Sequence, residues 1–338
     1  MPALHRISGL PRRRVPAGLL PCVVALVLAL GAPALHPGIP GPGASLLPAP
    51  HLHAQTPDLS QALELDPQVR TGTLDNGLTW FVRRNARPEG RVELRLAVNA
   101  GSLLEEAHER GLAHFLEHMA FRGTTNFERQ ALVGYLESIG MRFGPDLNAY
   151  TSFDETVYLL TVPTDDPEIV ETAFRILRDW ASEVTIHPDD VDRERGVVIE
   201  EWRGRRGAQA RVIDQHLPVM LQGARHAERL PIGTVEVLER ASAADLRGFY
   251  ERWYRPDLMA VVAVGDLDPE AMEGLIRTLF DDLERPADAP ERPTFPVPAH
   301  AETLFSVVTD PELSLTQVEL LHKDAEEAAA SGPGRETV

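Results

Sequence analysis

The stretch Gly111-Leu-Ala-His-Phe-Leu-Glu-His-Met-Ala-Phe-Arg-Gly123 constrains this chain more than any other. A helix turns about 100° per residue. His114 and His118, four residues apart, therefore lie on one face, with Glu117 flanking it. Ala113, Phe115, Leu116, Met119 and Ala120 crowd the same helix with apolar side chains. A mostly buried helix that carries two imidazoles and a carboxylate needs partners for them. Imidazoles at this spacing can share one metal ion, and a carboxylate beside them can take a proton from water. The inverted H-x-x-E-H order is a metallopeptidase pattern. Random placement of this chain's residues would produce it about 0.04 times. Two solvated histidines on a surface helix, the bland alternative, would not keep such apolar company.

The only cysteine, Cys22, lies in the N-terminal apolar run. A disulfide within the chain is excluded, and the folded part has no thiol for catalysis or metal binding. A third ligand must be His, Asp or Glu. Asp192-Arg-Glu-Arg-Gly-Val-Val-Ile-Glu-Glu-Trp202 reads as part of a later helix. Glu194 and Glu201, seven apart, share a face there, and Glu200 is rotated about 100° from Glu201. Spacing alone favours the commoner reading of such a run, a solvated acidic face.

Lys and Arg number 33 against 51 Asp and Glu, a net charge of −18 over 338 residues, and no acid falls in the first 54. A nucleic-acid binder needs a basic face, so that class is excluded. Arg12-Arg13-Arg14 precede an apolar run from Leu19 to Ala32, shorter than the roughly 18–20 residues that span a bilayer. Ala32-Pro33-Ala34 offers a small-x-small cleavage site. Residues 1–34 are expected to be an export signal, with cleavage after Ala54 as the alternative, and residues 35–65 a disordered linker rich in Pro, Gly and Ala. No stable membrane span is expected after cleavage, and the mature chain is expected in the periplasm or outside the cell. An uncleaved anchor is the rival reading.

Folded structure is expected from residue 66. Asn76-Gly77 marks a hairpin turn, and Val92, Leu94, Leu96 and Val98 alternate along a strand. A helix is expected over 109–121, stopped by Gly123, and another around Leu132, Leu136 and Ile139, ended by Gly140. Strands follow at 146–152 and 155–162, then helices from Glu168 to Val184 and Pro188 to Arg205. Ser242 and Asp245 form a capping box for a helix through Trp253. A buried strand covers Met259–Val264, and Asp268 caps a helix to Leu283. The order predicts an α+β fold, with a mixed or antiparallel sheet flanked by helices. Residues 285–298, with five prolines from Pro286 to Pro298, read as a linker. Leu304–Val308 and Leu315–Leu321 look like new strands, so 299–338 is expected to open a second, incomplete subdomain.

These motifs together resemble the pitrilysin/insulinase family of zinc metallopeptidases. The resemblance rests on residues 111–124 and on Glu194-Arg-Gly-Val-Val-Ile-Glu-Glu201. It extends through Asn148-Ala-Tyr-Thr151, Leu230-Pro-Ile-Gly-Thr234 and Trp253–Gly265, covering roughly 66–322. It implies that His114, His118 and Glu201 bind Zn2+, that Glu117 is the general base, and that Glu194 supports a ligand histidine. It implies a half-clamshell built of two similar subdomains, the zinc-bearing one at 66–284. Leu147–Thr151 would be the edge strand beside the zinc, where Asn148, Ala149 and Tyr150 position an extended peptide. The C-terminal half of the same protein, or a partner subunit, would complete the enzyme. The implied activity is that of an endopeptidase. Two rivals are a non-catalytic scaffold or processing partner of the same fold, and S-ribosylhomocysteine lyase. The first would lack a ligand or the base, and the second needs a cysteine ligand that the folded part lacks.

Overall fold

The computed structural model describes residues 65–128, 131–142, 144–321 and 323. The expected export signal, nearly all of the expected linker, and residues 324–338 of the expected second subdomain lie outside the described residues. Among the described residues, no helix is long and apolar enough to cross a membrane.

Strands β1 (Val69–Thr73) and β2 (Thr79–Arg84) form a hairpin, and Gly77 turns the corner with φ 97°. There follow β3 (Arg91–Val98), α1 (Leu112–Ala120), α2 (Ala131–Ser138), β4 (Leu147–Thr151), β5 (Thr156–Pro163), α3 (Pro167–Ser182) and α4 (Pro188–Gly204). The chain continues through α5 (Ala208–Met220), α6 (Val235–Leu238), α7 (Ala243–Trp253), β6 (Met259–Gly265) and α8 (Pro269–Phe280). The six strands among the described residues form one sheet in the order β1-β2-β6-β3-β5-β4. Only β2 and β6 run parallel. The fold is therefore α+β with a mixed sheet, as the element order predicted.

Strand alternation sorts the sheet's two faces. Val92, Leu94, Leu96 and Val98 of β3 are fully buried, as are Tyr158, Leu160 and Val162 of β5 and Val261 and Ala263 of β6. Helices α3 and α8 pack on the sheet, and α1 packs against β4, β5, α4 and α7. The predicted caps at Ser242 and Asp268 form, and Asp166 supplies one that the sequence reading did not name. Asp166 and Asp268 accept from Glu168 N and Glu270 N, and Ser242 and Asp245 cap each other's backbone.

Three expectations need correction. Helix α1 starts at Leu112, not 109, because Gly111 sits in the left-handed region (φ 102°) and interrupts the helix; it ends before Gly123 is reached. Helix α5 was not foreseen, because only Val212 of it is buried and Pro218 lies inside it, so no apolar stripe announces it. Residues 304–308 and 315–321 form no strand. No strand pairs with them, and Phe305, Val307, Val318 and Leu320 are more than four-fifths exposed (83%, 89%, 90% and 82%). Alternating apolar residues do not make a strand without a ladder to join. This stretch is held by polar contacts with α5 instead. Arg211 clasps Asp310 at 2.8 and 2.9 Å, and His216 lies 2.7 Å from Ser306 Oγ. Residues 285–298 carry no helix or strand, and Arg292 ties them to Asn99 O and Asp154 at 2.8 Å each.

The N-terminus of α1 has no side-chain cap of its own. Glu105, fully buried, supplies one from outside the helix: its carboxylate accepts from Gly111 N at 3.0 Å and Ala113 N at 2.9 Å. Burial pushes its carboxyl up to about 8, although both donors pull the other way. Gly111 also touches Gly233, where a Cβ would stand 2.4 Å from the Gly111 Cα. That contact fixes the Leu230–Thr234 loop against the helix start. At the other end, Trp180 Nε1 donates to Ala120 O at 3.0 Å. Glu105→Ala should cost about 2 kcal/mol or more, by stranding two buried N–H groups. Glu105→Gln, which keeps an acceptor oxygen, should cost less. Urea denaturation of both variants is the measurement, and an alanine variant within about 0.5 kcal/mol of wild type would refute the cap.

Candidate metal centre and cleft

Helix α1 and helix α4 face each other, and their polar residues meet between them. His118 Nε2 lies 3.3 Å from His114 Nε2, and Glu201 Oε2 lies 3.3 Å from His118 Nε2 and 3.6 Å from His114 Nε2. Two imidazole nitrogens and a carboxylate oxygen so close together make a donor set suited to a cation. Zn2+ binds such atoms at about 2.0–2.2 Å, and a tetrahedron of that size spaces its corners about 3.3–3.6 Å apart. The three separations match that spacing. Among the described residues this is the one such cluster of three His, Cys, Asp or Glu ligand atoms.

Two of the three donors, His118 and Glu201, are oriented by a neighbour, whereas His114 Nδ1 is buried without a hydrogen-bond partner. Glu194, nearly fully buried, has Oε1 2.8 Å from His118 Nδ1. A proton on Nδ1 directed at that carboxylate leaves Nε2 as the nitrogen that faces His114 and Glu201. The other oxygen of Glu194 pairs with Arg122. Arg205 pairs with Glu201 Oε1, leaving Oε2 on the histidine side. Glu194 and Glu201 thus share the inner face of α4, while Glu200 is exposed and pairs with Arg203.

The electrostatics follow burial and pairing. Burial, reinforced by His118, pulls His114 down to about 4, so its imidazole is neutral near pH 7. Burial opposes charge on His118 too, but the hydrogen bonds to Glu194 and Glu201 outweigh it and push this group up to about 9. The same His118 contact outweighs burial at Glu201 and holds it at about 2. Glu117, on the neighbouring flank of α1, is shifted upward by burial, against a hydrogen bond from Thr151 Oγ1 at 2.6 Å.

A cleft of about 910 Å³ opens over these groups. The three α1 residues, Glu194 and Glu201 line it with Asn148, Ala149 and Tyr150. Among the described residues, strand β4 ends the sheet and pairs only with β5. Asp146 O accepts from Thr161 N and Ser152 N donates to Glu155 O, so the even-numbered residues exchange the ladder bonds. Leu147, Ala149 and Thr151 consequently turn their backbone groups to the outer side, where Leu147 is already engaged by Arg142 O and Gly144 N and the edge stays open at Ala149 and Thr151. Tyr150 is half exposed (44%) and donates to Glu155, so it is no core residue. Pro231 and Ile232, carried on the loop fixed by Gly233, complete the wall.

The sequence reading missed Thr151, Arg122 and Arg205 as parts of this site. The Glu201–Arg205 spacing of four on a helix was a legible signal. Thr151 and Arg122 had none, because their partners are fixed only by the packing of β4 and α4 on α1.

Residues 81–228 match the family described as Insulinase (Peptidase family M16), and residues 240–322 match the Peptidase M16 inactive domain. Together these matches span more than half of the chain. The chain is 45% identical over 270 residues to a "Zinc protease PQQL-like" of Arabidopsis thaliana, covering 79% of the chain and 28% of that protein. It is 38% identical over 266 residues to a "Probable zinc protease PqqL" of Escherichia coli, covering 78% of the chain and 28% of that protein. It therefore spans little more than a quarter of these relatives. The crystal structure of the first half of the periplasmic protease PqqL from Escherichia coli superposes with a TM-score of 0.68 at 39% identity, covering 71% of this chain and 51% of that one. By its paired domains, its relatives and its fold, the chain belongs to the insulinase (M16) family of peptidases.

Proposed function

We propose that this chain is the zinc-bearing part of an exported endopeptidase, working in the periplasm or outside the cell. The observation that carries the reading is the meeting of three donor atoms, 3.3–3.6 Å apart, beside Glu117 and under an open strand edge. The relatives' descriptions as zinc proteases, and of PqqL as periplasmic, support it.

In this reading His114, His118 and Glu201 hold Zn2+. Bound there, zinc would supply a Lewis acid that polarises a peptide carbonyl and acidifies water. Glu117 takes a proton from the attacking water and hands it to the leaving amine, a role suited to a carboxyl shifted upward by burial. Glu194 holds the tautomer and orientation of His118. An extended peptide substrate pairs with β4 at Asn148, Ala149 and Tyr150. The C-terminal half of the same protein, or a partner subunit, closes over the cleft and contributes donors for the tetrahedral oxyanion. That assembly is the complete enzyme.

A non-catalytic scaffold is the second reading, favoured by the match of residues 240–322 to a domain described as inactive. Against it, the three donors and Glu117 all fall within 114–201, outside that segment.

Two measurements test the proposal. Elemental analysis of the purified chain should find about one zinc per chain. His118→Ala should lose it, and equal zinc in both proteins would remove the ligand assignment. Glu117→Gln should keep the zinc and reduce peptide hydrolysis by the complete enzyme about 10²–10⁴-fold, the usual worth of a general base. Activity within threefold of wild type would exclude Glu117 from that role.

A further inference from the structure

Thr151 belongs to two systems at once. It lies in the last register pair of β4, opposite Thr156, and turns its backbone N–H and C=O toward the open edge. Its side chain stands out of the sheet toward α1 and donates to Glu117 Oε2 at 2.6 Å. The hydroxyl has one proton, and the next acceptor, Thr156 Oγ1, is much farther at 3.4 Å. Thr156 is itself committed, donating to Ala100 O at 2.9 Å inside the sheet. With the Thr156 proton so engaged, Thr156 does not donate to Thr151, and the Thr151 proton goes to the nearer acceptor, the Glu117 carboxylate. Among the described residues, no other side chain or backbone N–H donates to Glu117.

We infer that Thr151 is a positioning residue that ties the peptide-receiving edge strand to the general base, so that a peptide pairing with β4 also sets the aim of the Glu117 carboxylate. This rests on the reading of Glu117 as base and β4 as the docking edge. A peptide backbone pairing at Ala149 and Thr151 fixes the φ and ψ of Thr151, and hence the direction of its Cβ and hydroxyl. The hydroxyl fixes Oε2, leaving Oε1 as the oxygen able to accept a proton. A charge-assisted hydrogen bond of this length is among the stronger kinds, and its loss would leave the carboxylate free to rotate. Proton transfer depends on such alignment.

The test uses the complete, zinc-loaded enzyme and three substitutions at one position. Thr151→Val keeps the shape and removes the hydroxyl, and Thr151→Ser keeps the hydroxyl and removes the methyl. Thr151→Val should lower kcat about ten- to a hundredfold, as expected for a lost hydrogen bond to a charged group. It should leave zinc content and the Kd of a non-cleavable reduced-amide peptide within about threefold. Thr151→Ser should restore most of kcat. Added to Glu117→Gln, Thr151→Val should lower the residual rate no further, because it acts through the base. A Kd that weakens in step with kcat, with no rescue by serine, would make Thr151 an ordinary strand residue and overturn the inference. If Glu117→Gln itself leaves kcat intact, the reading of the base has failed instead. Thermal unfolding examines the bond without turnover: Thr151→Val and Glu117→Ala should each shift Tm, and the double variant should fall short of the two shifts combined. Additive shifts would overturn the inference as well. Thr151→Ala, which removes hydroxyl and methyl together, should match valine in kcat; full activity in it would also count against the coupling.

Discussion

A nine-residue helix does not persist in water on its own, because so few hydrogen bonds cannot offset the cost of nucleation. Helix α1 is that short, yet it carries His114, Glu117 and His118. Its stability comes from its surroundings. Glu105 satisfies its first N–H groups, the Trp180 indole takes a carbonyl at its far end, and an apolar core closes around Phe115, Leu116 and Met119. The contact between Gly111 and Gly233 lets a backbone loop sit where any side chain would collide. The polar residues of the site are thus positioned by packing and capping, and the helix contributes only their spacing.

The second constraint is charge. Three ionisable side chains in a largely buried helix are costly unless paired. The chain meets this with a second helix. Helix α4 presents Glu194 and Glu201 to α1, and each is anchored in turn by an arginine, Arg122 or Arg205. The pairs differ in consequence. Glu194 is buried and engages the outer nitrogen of His118, whereas Glu201 is more open and reaches the inner nitrogens of both histidines. Two glutamates on one face of one helix thereby acquire different chemical settings.

Much of this was legible in the sequence because it is local. The alternation of Val92 to Val98, the cap at Asp268, the capping box at Ser242 and the His114–His118 spacing all follow from neighbours a few residues apart. The relation of Glu201 to Glu200 was only half legible: helix geometry paired Glu194 with Glu201, but only packing against α1 distinguishes that face from a solvated one. Glu105 and Thr151 were not legible. Glu105, next to Glu106 and four residues before Glu109, reads as surface charge, and a threonine in a strand reads as propensity. Their meaning depends on which helix packs beside them. Residues 304–308 and 315–321 misled for the opposite reason, since their alternation is local but a strand needs a distant partner.

An edge strand that accepts a peptide is equally open to the edge of another molecule, which is how sheets come to aggregate. Strand β4 limits that hazard by its dimensions. It is five residues long, and α1 packs beside it. The amide oxygen of Asn148 already occupies the N–H of Ala149 at 2.9 Å. A long flat strand would find too few outward groups in register to hold on. Only a short extended segment, able to enter the cleft and displace one side-chain amide, matches what the edge offers. If β4 receives a peptide as proposed, the geometry selects for the conformation and unpairedness of an incoming chain before any of its side chains are read.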